Sequence, residues 1–359
     1  MILLSDNKKH MNIDFYDIEY LNNPDPITLK ADFKQFLLSL DVPTVIDVAG
    51  KHVDKCRVIV TLLHGNEPSG LIAIHRWLTS LGELPKPQTN IRFIICSVEA
   101  ANASPLLSHR FLAHGNDLNR CFGISRNDGY YARARLIEEA IREVTPEFVV
   151  DLHNCSGSSP AFAVSPILSM KEIALTSFFC DAVILSGLQI GALTEQAFSC
   201  PTITIECGGS NDEQAHEVAF EGIQNIAECP PNVNFPQKKS VEIICKPLRL
   251  TLKNNVELTY SHHYEGESGV TLLDNIEQFN YGGAHQGQML GWLDSKGLKN
   301  LQLLNEDQEN VIDEFFTLRD NQLVCATHLR IFKATTNEFI AKNDCLFYVV
   351  KHSLGTFEK

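Results

Sequence analysis

From about residue 56 the chain alternates short apolar runs of strand length with stretches whose apolar positions recur at helical spacing. Residues 57–63 (RVIVTLL) form a β-branched run, and residues 69–81 follow with helical periodicity. Residues 91–98 (IRFIICSV) repeat the strand pattern. Residues 131–144 read as a helix, with Ile137 and Ile141 four apart and Pro146 just beyond its end. Residues 147–152 (EFVVDL) and 201–205 (PTITI) are two more strands. Residues 212–227 supply another helix, with Asp212 and Glu213 near its positive N-terminal end. Near-continuous apolar strands alternating with helices predict a mostly parallel sheet covered on both faces.

The texture changes after residues 229–239 (CPPNVNFPQKK), a polar stretch with three prolines. Beyond it come short runs at 241–245, 248–252 and 256–260, and later at 288–293, 323–326 and 346–350. Turn residues such as Asn254-Asn255 separate them. That pattern predicts a mainly antiparallel β unit, with one helix over 307–316. Residues 1–40, with Pro24, Pro26 and a short helical pattern at 31–40, read as a lead-in. The expected division is therefore 1–40, an α/β unit at 41–235, and a smaller β-rich unit at 236–359.

At 359 residues, 44% of them hydrophobic, the chain has enough material for two domains. Its formal charge is −14, of which residues 236–359 carry −3, so the acidity belongs to the first unit. Such a chain repels phosphate backbones and anionic lipid, which argues against nucleic-acid or membrane-surface partners. It does not argue against a small anionic substrate, since a few Arg side chains in one cleft reverse the local field. No run of 18 apolar residues predicts a membrane span. The N-terminal MILLSDNKKH lacks the pattern of a secretory signal, so a cytoplasmic location is expected. The eleven cysteines, odd in number and without a CxxC pair, predict reduced thiols rather than a disulfide framework.

Chemistry concentrates at strand ends, where ligands of open α/β sheets gather. The run 57–63 leads into His64-Gly65-Asn66-Glu67-Pro68, 147–152 into His153-Asn154, and 201–205 into Glu206-Cys207-Gly208-Gly209. Packing alone gives no reason for three such side chains at the same end of a sheet. His64 and Glu67, three apart on a tight turn, can bind one ion from the same side. Gly65 lets the backbone turn, and Pro68 suits the start of the next helix. A hydrolytic zinc site needs three protein ligands and one open position, and His153 is the natural third. Two imidazoles and a carboxylate suit Zn²⁺, with Mn²⁺ and Co²⁺ also compatible. An HxxE pair or a lone histidine is common by chance, and only their joint placement carries weight. Arg110 reads either as solvated surface or as a grip on a carboxylate or oxyanion. Asp117 reads either as an Asx-turn or as the partner of a ligand histidine. Glu206 is either a capping group or a proton acceptor beside a metal-bound water.

HGNEPSG at 64–70, DLNR at 117–120, DLHN at 151–154 and IECGG at 205–209, in that order, resemble the succinylglutamate desuccinylase/aspartoacylase family. That family is a branch of the zinc carboxypeptidase (M14) superfamily. The resemblance implies a carboxypeptidase-like mixed central sheet of about eight strands flanked by helices, followed by a smaller β-rich domain. It makes His64, Glu67 and His153 the ligands of one Zn²⁺ per chain, and Glu206 the general base that also protonates the leaving amine. Asn119 and Arg120 become the pair holding a substrate carboxylate, Asp117 the partner of His64, and Arg110 the oxyanion-stabilising arginine. The implied activity is zinc-dependent hydrolysis of the amide bond in a small anionic N-acyl amino acid. A metallocarboxypeptidase and a non-catalytic metal-binding protein are the alternatives, and an oligomer is compatible with all three.

One departure stands out. Aspartoacylase-like members carry a further arginine shortly before the catalytic glutamate, whereas residues 172–237 contain no Lys or Arg. A second anionic anchor would have to come from elsewhere. The C-terminal unit offers His262, His263 and His285, which otherwise read as surface polar residues.

Overall fold

Nine strands make up the central sheet in a computed structural model of the protein. It describes residues 13–27, 29, 32–155, 157–187, 189–231, 239–264, 266, 269–343 and 345–351. The strands are β1 (Glu19–Asn22), β2 (Thr44–Val48), β3 (His52–Thr61), β4 (Thr89–Ile95) and β5 (Val149–Cys155). They continue with β6 (Phe162–Ser165), β7 (Ala182–Leu185), β8 (Thr202–Gly209) and β9 (Glu242–Cys245). Their spatial order is β1-β2-β4-β3-β5-β8-β6-β7-β9. The junctions β2–β4 and β8–β6 are antiparallel and the other six are parallel, so the sheet is mixed.

Side chains alternate between faces along a strand, and each face has its own helical cover. Ile59, Phe93, Val150 and Ile203 face the cluster built by α1 (Phe33–Leu38), α2 (Ser69–Thr79), α3 (Val98–Asn102), α5 (Met170–Thr176) and α6 (Glu213–Glu228). Val58, Val60, Ile94 and Val149 face α4 (Gly129–Arg142), where Ala134, Ile137 and Ile141 are buried. Burial on both faces explains why β3 and β4 read as unbroken apolar runs.

The C-terminal region is β-rich. One five-stranded sheet joins β10 (Leu248–Leu252), β13 (Gly283–Ala284), β15 (Leu301–Leu303), β18 (Leu329–Phe332) and β19 (Phe347–Lys351). The other joins β11 (Leu258–Tyr260), β12 (Val270–Leu272), β14 (Met289–Leu293), β16 (Phe316–Arg319) and β17 (Gln322–Cys325). Pairing is antiparallel except between β11 and β12. Leu250, Leu293, Phe316, Leu323 and Phe347 belong to its core.

Three features differ from the sequence reading. Residues 307–316 do not form a helix: a single 3-10 turn at Ile312–Glu314 leads into β16, where Phe316 pairs with Cys325. Val311, Ile312, Phe315 and Phe316 mimic helical spacing but are anchored individually in the β core. Strand β1, inside the expected lead-in, and β9, inside the expected β-rich unit, both extend the central sheet, one at each edge. The break at 229–239 lies mostly outside the described residues. A small cluster containing Phe162, Ile184, Ile244 and Phe332, with Tyr281 and Tyr348 packed against it, seats the C-terminal region on the sheet.

Candidate active site

Parallel strands β3, β5 and β8 are neighbours in the sheet, so His64 beyond β3 meets His153 and Glu206, which lie within the last residues of β5 and β8, at one end. The chain leaves β3 through Leu62, a buried residue held in the left-handed region (φ 53°). Gly65 is required by space and not by a left-handed φ: a Cβ there would stand 2.6 Å from the Ala101 backbone nitrogen on α3. The turn is pinned further by Gly65 N donating to Arg110 O (3.0 Å).

His64, Glu67 and His153 converge there, all buried, with potential ligand atoms within 4.8 Å of one another. His64 Nδ1 lies 2.9 Å from Glu67 Oε1, and His153 Nδ1 lies 2.6 Å from Glu67 Oε2. Each imidazole is held from behind: His64 Nε2 meets Asp117 Oδ1 at 3.0 Å, and His153 Nε2 meets Asp151 Oδ2 at 2.7 Å. A carboxylate on the outer nitrogen fixes both tautomer and ring orientation, as in histidine metal sites. Asn154 completes the frame. Its side chain accepts from Ser69 N and donates to Ser69 Oγ and Gly208 O, tying the start of α2 to the end of β8.

Against burial, which would raise it, His64 and His153 hold the Glu67 carboxyl well below its usual range. Against burial, which would lower it, Asp151 and Glu67 pull His153 well above an ordinary imidazole. The Asp117 carboxyl is likewise held far down, against burial, by His64 and Arg110. Three carboxylates, those of Glu67, Asp117 and Asp151, surround the two imidazoles, with the Arg110 guanidinium beside the first two. The cluster's donor set of two nitrogens and a carboxylate fits Zn²⁺.

Arg110 reaches Asp117 Oδ2 with Nε and Nη2 (3.2 and 3.0 Å) and Glu67 Oε1 with Nη1 (3.3 Å). It therefore stands at the edge of the His–Glu–His cluster rather than in solvent. Asn119 and Arg120 sit on a 3-10 turn (Leu118–Arg120) capped by Asp117, whose Oδ1 accepts from Asn119 N. Asn119 Oδ1 accepts from Leu193 N at 2.9 Å, and the residue lines the cavity described below. Arg120 is half-buried, and Nη1 donates to Asn119 O.

Glu206, buried on β8 directly beside His153 on β5, forms an ion pair with Lys333. Lys333 follows β18 in a left-handed conformation (φ 55°). The buried Asn280 fixes the next residue, accepting from Ala334 N (2.7 Å) and donating to Ala334 O (2.8 Å). The Glu206 carboxylate lifts the Lys333 ammonium above its usual value, overriding the downward pull of burial.

All eight residues singled out from the sequence line one cavity of about 430 Å³ between the sheet and the C-terminal region. His262, His263 and His285 do not. His262 pairs with Asp274 at 2.7 Å, and His285 meets the His328 ring edge-on. The cations that the C-terminal region does contribute are Lys333 and Arg249. Two positions of the site were therefore missed. Asp151 had a signal, because residues two apart on a strand share a face and DLH places it beside His153. Lys333 had none, being an isolated lysine after an ordinary strand.

Residues 56–227 match the succinylglutamate desuccinylase/aspartoacylase catalytic domain. No curated protein matches the sequence. Among solved structures, a succinylglutamate desuccinylase of Vibrio parahaemolyticus is similar in fold (TM-score 0.56). It is 16% identical, and the alignment covers 89% of this chain and 95% of that one. A succinylglutamate desuccinylase/aspartoacylase of Rhodobacter sphaeroides is 15% identical over 88% of this chain and 89% of that one, with a TM-score of 0.55. A mutant of murine aminoacylase 3 is 15% identical over 82% of this chain and 94% of that one, with a TM-score of 0.50. Among the described residues no helix is long and apolar enough to cross a membrane.

Proposed function

We propose that the protein is a zinc-dependent deacylase that hydrolyses the amide bond of an N-acyl amino acid. The observation that carries this reading is the buried His64–Glu67–His153 cluster sharing one cavity with Glu206 and with Asn119 and Arg120. Held by His64, Glu67 and His153, a Zn²⁺ ion supplies Lewis acidity toward water and toward an amide carbonyl. Glu206 accepts a proton from the attacking water and returns it to the departing amine. Arg110 donates to the oxygen that gains charge as the carbonyl becomes tetrahedral. Asn119 and Arg120 hold the substrate carboxylate and so set the register of the amide. Asp117 and Asp151 keep both imidazoles turned toward the ion. Lys333 holds the Glu206 carboxylate in place.

Cavity size supports a deacylase reading. Phe332, Lys333 and Tyr348 of the C-terminal region border the cavity, whose volume of about 430 Å³ suits a small molecule. The test is hydrolysis of N-acyl amino acids against short peptides by zinc-loaded protein and by its Glu206→Gln variant. Glu206→Gln should keep one zinc per chain by elemental analysis and lose about two to four orders of magnitude in turnover. Faster cleavage of peptides would make the protein a carboxypeptidase. Bound zinc with no hydrolysis of either class would leave a metal-binding protein without this activity.

A further inference from the structure

We infer that the amine half of the substrate carries an uncharged, apolar side chain, so that the preferred substrates are N-acyl derivatives of aliphatic or aromatic amino acids. This rests on the deacylase reading. The cavity is two-sided. At the metal end stand the imidazoles, carboxylates and arginines already described. Beyond Glu206 the wall turns apolar, and the sheet register shows how. On the same face as Glu206, Phe162 pairs across from it, Val164 across from Thr204, and Ile184 beside Val164. All of them line the cavity, and Phe332 and Tyr348 close it from the C-terminal region.

The carboxylate anchor fixes which half of the substrate meets this wall. Asn119 is bonded to Leu193 N, and a Cβ on Gly191 would stand 2.6 Å from Arg120 O, so the 190–195 segment is packed against the anchor. In the inferred pose, a side chain on the carbon that bears the anchored carboxylate faces that segment and the β8–β6–β7 face. The segment offers Ile190, Ala192 and Thr194, and its one charged group in the wall is Glu195, whose carboxylate accepts from Ile190 N and Gly191 N. No Lys or Arg occurs from 172 to 237. Lys333 pairs with Glu206, and Arg110, paired with Asp117 and Glu67, stands at the metal end. Arg249, on β10 opposite Tyr348, lines the C-terminal side of the cavity, its guanidinium 6.0 Å from the Tyr348 ring. An acidic side chain would thus meet Glu195 and no cation from β6, β7, β8 or the 190–195 segment, whereas an apolar one gains burial.

The experiment measures kcat/KM on zinc-loaded protein for N-acetyl-L-alanine, -leucine, -phenylalanine, -aspartate and -glutamate, alongside calorimetric binding of N-acetyl-L-leucine. Each added apolar side-chain carbon should raise kcat/KM about three- to four-fold, and both acidic substrates should trail leucine by at least about ten-fold. Ile190→Arg, on a half-buried loop position, should move the leucine-to-glutamate ratio about ten-fold toward glutamate while thermal melting stays close to wild type. Preference for aspartate or glutamate would overturn the inference, leave the deacylase reading standing and pass the second-cation role to Arg249. Binding of N-acetyl-L-leucine that Ile190→Arg weakens, with no hydrolysis of any member, would keep the inference and sink the deacylase reading. Neither binding nor hydrolysis would overturn both.

Discussion

Removing the lysine that the C-terminal region sends into the site is the sharpest test of how that site is held. In Lys333→Met the ammonium is lost while the apolar stem is kept, and Glu206 is left buried with Cys155 Sγ 3.6 Å from its carboxylate. An exposed ion pair contributes about 0–1 kcal/mol, and breaking a fully buried one costs about 3–5 kcal/mol. Here the Glu206 side chain is 6% exposed and that of Lys333 33%, so screening by solvent places the loss between the two, at about 2 kcal/mol. If that energy serves to hold the carboxylate in line with the attacking water, kcat falls about 30-fold and KM hardly moves. Lys333→Arg, which restores the charge, should recover most of the rate. The raised ammonium is present below the ordinary lysine value of 10.5 and is lost only as pH climbs through its higher folded value, so wild type should show no loss from titration of this lysine up to about pH 9. The assay is steady-state amine release from an N-acetyl amino acid, with thermal melting recorded in parallel. A melt lowered by several degrees with kcat within about two-fold of wild type would show that Lys333 ties the two regions together and does nothing for the chemistry.

Three further outcomes follow from other parts of the structure. Arg120→Ala should raise KM for carboxylate-bearing substrates more than it lowers kcat, and an unchanged KM would mean that no carboxylate docks there. Asp151→Asn, which weakens the hold on His153 Nε2, should reduce zinc affinity about 10- to 100-fold in a chelator competition, and unchanged affinity would make Asp151 a packing residue only. Arg57 is fully buried, pairs with Glu147 and donates to the carbonyls of Ile226, Cys229 and Pro230 at the end of α6. Arg57→Met should therefore cost about 3–5 kcal/mol in a denaturant melt with zinc content intact, and a loss below about 1 kcal/mol would contradict that reading.

What the amino-acid sequence determined by itself was local or periodic. Apolar runs buried on both faces announced β3, β4, β5 and β8, and the words HGNE, DLHN and IECGG pointed to chemistry at their ends, because a parallel sheet brings consecutive strand ends to one edge. The family resemblance of the DLNR word implied a carboxylate anchor and made Asp117 the partner of His64, which it meets at 3.0 Å. The helix expected over 307–316 failed because four apolar residues at helical spacing also satisfy a turn followed by a strand, and only the C-terminal core decides between them. Gly65 was legible as necessary, yet its reason, the approach of α3, exists only once the chain has folded. The remainder belonged to tertiary structure alone. Lys333 reaches Glu206, and Phe332 and Tyr348 complete the apolar wall, because the β-rich region docks on the sheet through Phe162, Ile184 and Ile244. Contacts between residues so far apart along the chain leave no periodicity or spacing in the sequence, since each partner is an ordinary side chain in its own segment.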